Sequence, residues 1–290
     1  MPMAMGSGTE RTGACGSPMR PVEQGISFSS YTCRPPSLMT QLSLVRKHAV
    51  GGSPLSSLVR KLERYHALDA AERRAVERLS ITVKKVRRGQ DIIREGDNCD
   101  FSCMIMEGFA FRYSMVESGK RQIMAFCVPG DIPDLQSMAL DKMDHSLGTL
   151  RACTVAEIPH RAIRDLFETQ PRLAEVLWRE TLIDGAAFRK WLMSVGRRSA
   201  IGCIGHIICE FVTRMKAIGR SDGITCEFPM TQTDLADAAA LSLVHVNRSL
   251  RELRELGLIN IAGNLLTIHD WEGLAQRAEF DPTYLQLGGE

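Results

Sequence analysis

The sequence lacks a hydrophobic stretch long enough to cross a membrane. Its longest run without a charged residue spans 256–269 and is interrupted by Gly257 and Gly263, whereas a bilayer crossing needs roughly 20 apolar residues. Residues 1–25 also lack the basic segment and apolar core of an export signal. We therefore expect a cytoplasmic protein, and 290 residues with 44% hydrophobic content are enough for two domains.

The sequence also lacks the patterns of common catalytic sites. It has no Walker-type glycine loop, no His-Glu-x-x-His pair and no nucleophile elbow. Its nine cysteines are odd in number and scattered, which favours reduced thiols over a disulfide framework. We predict that the protein is not an enzyme. The alternative is a thiol-dependent redox or metal-sensing protein that uses Cys99, Cys103, Cys127 and Cys153.

The net charge of +2 is unevenly distributed along the chain. Residues 1–88 hold 15 Lys and Arg against 6 Asp and Glu, whereas residues 197–290 hold 9 against 12. An acidic C-terminal third disfavours a sequence-blind attraction of that whole surface to nucleic acid. It does not exclude a local basic face.

Breakers and periodicity divide the first part of the chain. Residues 1–53 are rich in Gly, Pro, Ser and Thr without a sustained period, which predicts a flexible extension, with Met39 as an alternative start. Two short helices follow, the second with Asp69 as a possible cap. Between Ile81 and Pro159, short β-branched and aromatic runs separated by glycines predict a closed or rolled sheet. Four of these runs are long enough for strands, at 101–106, 109–116, 122–128 and 153–158.

A long helix is predicted over residues 171–195. Its apolar residues cover more than one face, so one face must pack against its own domain and the other against a second chain or domain. We therefore predict a homodimer. The candidate dimerisation residues are Leu173, Val176, Leu177, Ile183, Ala187 and Trp191.

Residues 228–268 have the order strand, short helix, tight turn, second helix and hairpin. Thr231 and Asp234 have capping-box spacing at the start of the first helix, and Ser242 is placed to cap the second. The second helix has an apolar stripe at spacings of three and four residues. The stripe consists of Leu243, Val246, Leu250, Leu253 and Leu256.

The outward face of this second helix suits a DNA groove. Arg248 can pair with guanine O6 and N7, Asn247 with adenine, and His245 with a purine or a phosphate. Val244 can contact a thymine methyl group. These four residues are the candidate base contacts.

Other residues of the module are candidates for the DNA backbone and for the wing. Thr231 and Gln232 lie at a helix start, where hydroxyl, amide and backbone N–H groups reach a phosphate, and Ser242 and Arg251 are further candidates. The hairpin at 258–268 would be the wing of a winged helix-turn-helix. The alternative is an ordinary amphipathic helix whose arginines only pair with its own glutamates.

Several motifs together resemble the Crp/Fnr family of bacterial transcription regulators, over about residues 54–275. The motifs are Arg88-Gly89-Gln90 with Ile93-Arg94-Glu95-Gly96, Met106-Glu107-Gly108, the run from Phe126 to Ile132, and the run from Met230 to Ala236 with Asn247-Arg248-Ser249-Leu250. By this resemblance, His245, Asn247 and Arg248 fall on the family's base-reading positions. The turn 239–241 departs from the family pattern, because it has Ala where Gly is frequent, and an Ala at positive φ costs roughly 1 kcal/mol.

The resemblance implies an α+β fold and a division of labour. A β-roll of the cyclic-nucleotide-binding type would occupy residues 54–170 and sense a signal. A dimerisation helix would occupy 171–197, and a winged helix-turn-helix 198–290. The implied partners are double-stranded DNA with a two-fold-related operator, RNA polymerase and a second copy of the chain, with no membrane.

The effector site departs from that of the family's cyclic-nucleotide binders, which hold the cyclic phosphate with an Arg followed by Ser or Thr. The matching residues are Gly130, Asp131, Ile132, His145 and Ser146. The Arg is missing, and a neutral or partly charged His is a poor substitute. We expect no cofactor, and either a small-molecule effector other than a cyclic nucleotide or no such effector. A cluster is disfavoured because Cys15 and Cys33 are 18 residues apart, whereas cluster-binding members space N-terminal cysteines closely.

Overall fold

The computed structural model describes residues 54–64 and 66–287, so the predicted extension at 1–53 lies outside the described residues. Two short helices come first, α1 (Ser56–Leu62) and α2 (Ala70–Glu77). Asp69 caps α2 as predicted, because its carboxylate accepts the N–H of Glu72 while Glu72 accepts the N–H of Asp69. No helix within the described ranges is both long and apolar enough to cross a bilayer.

Seven strands form two antiparallel sheets of the β-roll. They are β1 (Thr82–Val86), β2 (Asp91–Ile93), β3 (Phe101–Glu107), β4 (Ala110–Met115), β5 (Arg121–Cys127), β6 (Ser146–Thr149) and β7 (Cys153–Pro159). One sheet has the order β1-β7-β3 and the other β2-β6-β4-β5. The four predicted strands are confirmed, with ends shifted by no more than one residue. Sequence analysis did not resolve β1, β2 and β6, because β1 is mostly exposed and the other two are very short.

Alternation along the strands gives the β-roll two apolar surfaces. Cys103, Ile105 and Val155 point into the space between the sheets, whereas the intervening Met104 and Ala156 pack with α1 and other helices. The period of two therefore gives β3 and β7 a buried residue on each face, which explains their nearly continuous hydrophobic sequence.

Two helices follow the β-roll, α3 (His160–Thr169) and α4 (Pro171–Arg197). Sequence analysis did not predict α3. Gln170 separates the helices in a non-helical conformation, because proline disfavours helical geometry in the residue before it. The long helix predicted from Pro171 is confirmed and extends two residues further than expected.

The dimerisation residues predicted on α4 are wrong as a set. Five of the six are buried within their own chain, and Ala187 is partly buried. Leu173 and Leu177 pack with α1 and α3, and the Trp191 ring lies 5.7 Å from that of Phe126. A second face of α4 is exposed in the chain, which we call the outer face. It consists of Trp178, Leu182, Phe188, Leu192 and Val195.

Helix α5 (Ala200–Ala217) connects the β-roll to the C-terminal elements. It is buried almost all the way round, because both halves of the chain pack against it. The ring of Phe211 lies 5.7 Å from Phe109 of the β-roll and 6.0 Å from Phe228 of the C-terminal half. The two halves therefore share one hydrophobic core.

The elements of the C-terminal half are β8 (Thr225–Glu227), α6 (Gln232–Ala239), α7 (Leu243–Glu255), β9 (Ile259–Ala262), β10 (Leu265–Ile268) and α8 (Trp271–Ala278). Strand, two helices and hairpin follow in the predicted order, but β8 ends one residue before the predicted range of 228–268. The strands form a sheet of order β8-β10-β9. Helix α8 and the short 3₁₀ helix Pro282–Leu285 were not predicted. Close packing of α8 on α5 uses Gly205, where a Cβ would lie only 3.0 Å from that of Ala278.

Candidate nucleic-acid interface

The first helix of the module, α6, starts with a complete capping box. The Thr231 hydroxyl accepts the N–H of Asp234 at 3.1 Å, and the Asp234 carboxylate accepts the N–H of Thr231 at 2.9 Å. The pairing predicted from sequence is confirmed, with Asp taking the place of the usual Glu or Gln. Gln232 is exposed beside it. The free N–H groups of a helix start are suited to a phosphate.

The turn between the two helices contains an alanine in a strained conformation. Ala240 has φ 53° and ψ 39°, in the left-handed region. The conformation satisfies the end of α6, since the Ala240 N–H donates to Ala236 O. The turn thus keeps the geometry that glycine usually provides, at a cost of about 1 kcal/mol.

The second helix, α7, is anchored by its central turns. Ser242 caps it by accepting the N–H of His245 at 3.3 Å, and Val246, Leu250 and Leu253 are buried. The predicted apolar stripe is wrong at both ends, because Leu243 and Leu256 are 48% and 46% exposed. They are the first residue and the C-cap of the helix, outside the central turns that reach the core.

The predicted base-reading face is exposed as a unit. Val244 is 74% exposed, and His245, Asn247 and Arg248 are exposed as well. Within residues 54–64 and 66–287, neither Asn247 nor Arg248 makes a hydrogen bond or ion pair with another side chain. Their full hydrogen-bonding capacity is therefore available to a ligand outside the chain.

The predicted phosphate contacts differ in how much of their polar capacity is free. The hydroxyls of Thr231 and Ser242 already serve as caps, although an oxygen with two lone pairs can still take part in a further contact. Arg251 is largely exposed and only 3.8 Å from the carboxylate of Glu255, a surface pair of low energy. The hairpin of β9 and β10 turns at Gly263, with φ 62°, and has the position of a wing.

A cavity of about 370 Å³ lies where the β-roll, α4 and α5 meet. Asp131, Ile132 and His145, all predicted for the effector site, line this cavity. Gly130 and Ser146, the other two predicted residues, do not. The structure therefore brings together three of the five.

Gly130 and Ser146 instead stabilise the β-roll. A Cβ on Gly130 would lie 2.7 Å from the carbonyl oxygen of Ser57 in α1, and its φ of +96° also favours glycine. The Ser146 hydroxyl accepts the N–H of Glu95 at 3.0 Å. The predicted assignment of Gly130 and Ser146 to the effector site is therefore corrected. The sequence could not show this, because each contact joins residues that are far apart along the chain.

The cationic side chains that line the cavity are already paired with carboxylates. Burial alone would raise the pKa of Asp131, but Arg214 and Lys61 hold that pKa well below its ordinary value. A new anion in the cavity would have to compete with these carboxylates. The pairs are Lys61 with Asp131 and Glu180, Arg112 with Asp184, and Arg214 with Asp131.

The family resemblance matches His145 to the Arg that holds the phosphate in cyclic-nucleotide binders, and the surroundings of His145 disfavour its charged form. Its Nδ1 lies 2.9 Å from the Asp144 carboxylate, and Nε2 has no partner among the described residues. Burial lowers the pKa of His145, and the nearby charge of Arg112 lowers it further. The residue thus has no charge with which to hold a phosphate at neutral pH.

The described cysteines are embedded in the fold. All are free thiols, and all except the half-buried Cys99 are buried. Burial raises the pKa of Cys127 to about 12 and that of Cys153 to about 11, so neither is a reactive thiolate at neutral pH. No group of three or more His, Cys, Asp or Glu among the described residues is arranged to hold a metal ion. Cys15 and Cys33 lie outside that part of the chain.

Known protein families match both halves of the chain. Residues 83–170 match the family described as "Cyclic nucleotide-binding domain", and residues 206–277 match the "Crp-like helix-turn-helix domain". The pair of matches, in this order in one chain, confirms the family predicted from sequence. The chain belongs to the Crp/Fnr family. It is a DNA-binding transcription regulator, and the thiol-dependent alternative is not favoured.

Similar proteins agree with this Crp/Fnr assignment. The transcriptional activator protein FnrL of Cereibacter sphaeroides is 26% identical over 68% of this chain and 81% of its own length. The nitrogen fixation regulation protein FixK of Bradyrhizobium diazoefficiens is 27% identical over 70% of this chain and 84% of its own. The structure of FixK2 from Bradyrhizobium japonicum shares the fold, with a TM-score of 0.63 at 20% identity over 68% of this chain and 97% of that one.

Sequence reasoning missed several charged residues at the cavity and at the helix-turn-helix of this Crp/Fnr protein. Arg112 and Asp184 face the cavity from strand and helix, and Arg121 contacts the start of the helix-turn-helix. Each is a single charged residue in an otherwise ordinary element. No local pattern distinguishes such a residue from a solvated surface charge, because its partner lies far away in the sequence.

Proposed function

We propose that this regulator acts as a homodimer in which two copies of α7 read a two-fold-related operator in double-stranded DNA. The observation that supports base reading is the exposed and unpaired polar face of α7 on a helix whose opposite side is buried. A groove of DNA can accept such a helix, and Arg and Asn on it can discriminate base pairs. Its role is regulatory and not enzymatic.

The outer face of α4 supports the homodimer. The five large apolar side chains of the outer face are exposed along one helix at spacings of three, four and six residues, which keep them on one side. Such a stripe in water favours a second helix with the same stripe. A two-fold arrangement would use the same residues on both chains. Two recognition helices would then follow the symmetry of the operator.

Selection of bound sequences from random DNA tests the operator. We expect a site with two related halves. Arg248→Ala should weaken specific binding by about 1 to 3 kcal/mol without affecting dimerisation. Arg254→Ala is the matched control and should bind as the parent protein does. Arg254 is also exposed on α7, but it lies about a third of a turn around the helix axis from Arg248. Unchanged affinity in Arg248→Ala would refute base reading by this residue.

We also propose that RNA polymerase is the partner at the promoter, as the family implies. Transcription in vitro from a template carrying the selected site is the test. A change in transcript amount that depends on both the protein and an intact site supports the proposal. An unchanged amount with a fully occupied site would contradict it.

We propose further that the effector in the cavity is not a cyclic nucleotide. Three cations line the cavity, but carboxylates already pair with them, and His145 is neutral. Titration calorimetry with cyclic AMP and cyclic GMP should show no binding at micromolar concentrations. A dissociation constant in that range would refute the proposal.

A further inference from the structure

The β-roll contacts the first helix of the helix-turn-helix directly, through one arginine at the start of β5. The Arg121 Nε donates to Asp237 Oδ2 at 2.8 Å, and its Nη2 donates to Asp234 Oδ1 at 3.0 Å. Both acceptors lie on α6, more than 110 residues further along the chain. One guanidinium therefore bridges two carboxylates on a neighbouring helix.

The surroundings of Arg121 hold its guanidinium in place. It lies 4.8 Å from the centre of the Phe111 ring and 6.0 Å from that of Tyr113, within the range of cation–π attraction. The next residue, Gln122, donates from Nε2 to the carbonyl oxygen of Ala238 at 3.1 Å. The contact therefore combines ionic, aromatic and backbone interactions in a partly buried position.

The opposite end of β5 lines the cavity. Residues 124–127 are part of the cavity wall. Between the two ends the strand contains a bulge, because Arg112 pairs with Ala125 while Tyr113 pairs with Ile123, which leaves Met124 unpaired. A bulge interrupts the ladder and is a point where a strand can bend. β5 thus connects the cavity wall to the helix-turn-helix, and the bulge at Met124 interrupts the strand on the way.

We propose that Arg121 is a positioning residue through which β5 holds α6 in the orientation needed for DNA binding. The inference rests on the proposed DNA-binding function and adds a link between the sensor half and the reading half. Thr231 and Gln232, which are expected to meet phosphates, lie at the start of the same helix, so the orientation of α6 also decides where they point.

The test is a double-mutant cycle on operator binding, measured by fluorescence anisotropy with DNA selected by the parent protein. Arg121→Gln should weaken binding about tenfold. Arg121→Gln combined with Asp237→Asn should be no weaker than Arg121→Gln alone, because both changes remove the same contact. Effects that multiply in the double variant would overturn the proposal, as would parent-like affinity of Arg121→Gln.

The salt dependence separates positioning from direct DNA contact. Arg121 pairs with carboxylates, so the slope of log affinity against log salt should stay the same in Arg121→Gln. A slope reduced by about one would show that Arg121 binds a phosphate itself and would overturn the proposal. Arg94→Gln is the matched control, since Arg94 is an exposed β-roll arginine paired only within its own domain, and it should bind as the parent does.

A second variant tests the role of the bulge. Met124→Trp adds volume at the cavity wall and should change operator affinity at least threefold in the parent protein, but not in the Arg121→Gln background. Equal changes in both backgrounds would refute transmission through Arg121. Circular dichroism checks that each variant folds. If Met124→Trp does not fold, the cycle of Arg121→Gln with Asp237→Asn still tests the Arg121 contact itself. Failure of the parent protein to select any DNA sequence would instead refute the proposed function.

Discussion

Replacing Leu192 with glutamate should dissociate the homodimer. Leu192 is 66% exposed in the single chain, and burying a whole leucine side chain contributes about 1.5–3 kcal/mol. Association can therefore contribute about two-thirds of that value, about 1–2 kcal/mol per copy. A two-fold interface contains the residue twice, so the substitution loses about 2–4 kcal/mol, equivalent to a dissociation constant about 30 to 1,000 times higher. Desolvation of two carboxylates increases the loss.

Sedimentation velocity over a range of protein concentrations measures this effect. We expect a dimer for the parent and a monomer for Leu192→Glu at the same concentration, with weaker binding to the full operator. Leu140→Glu is the control, because Leu140 is also exposed but belongs to the β-roll and not to the outer face. A Leu192→Glu protein that sediments as the parent dimer would refute the assignment of the outer face.

Two further predictions concern stability. Ala240→Gly should raise the free energy of unfolding by about 0.5–1 kcal/mol, because Ala240 is exposed at φ 53° and glycine adopts that conformation without strain; a lower melting temperature would contradict this. His206→Gln should flatten the pH dependence of stability. Burial, with smaller effects of Arg198 and Lys190, lowers the pKa of His206 from 6.5 to about 3, so the unfolded chain binds the extra proton between these values. The free energy of unfolding therefore falls as pH drops through this window, by up to about 1.4 kcal/mol per pH unit. Urea unfolding at several pH values measures this dependence. If the free energy of unfolding changes equally with pH in the parent and in His206→Gln, this role of His206 is refuted.

Sequence reasoning succeeded where the decisive interactions are local. The capping box of Thr231 and Asp234 joins residues three apart, and Ser242 caps α7 over the same distance. The exposed side of α7 follows from the spacing of Val246, Leu250 and Leu253. Such contacts depend on the backbone geometry of a single element, so the order of residues specifies them.

The same reasoning failed where two apolar faces compete for one partner. On α4, Leu177 and Trp178 are neighbours with similar hydrophobicity, yet Leu177 is buried and Trp178 is 66% exposed. Periodicity shows that a helix has two apolar faces. It does not show which of them its own domain covers, because that depends on where α1, α3 and the β-roll sheet lie.

The sequence by itself determined the four longest strands of the β-roll, the long helix α4, the two helices of the helix-turn-helix and the reading face of α7, because these follow from repeats and caps within a few residues. Only the tertiary structure decided which face of α4 is exposed and which three of the five predicted effector-site residues line the cavity. It also decided the contact of Arg121 with Asp234 and Asp237. Partners of that last kind are more than 110 residues apart. Their pairing arises when α5 packs both halves into one core, and no short-range pattern encodes that distance.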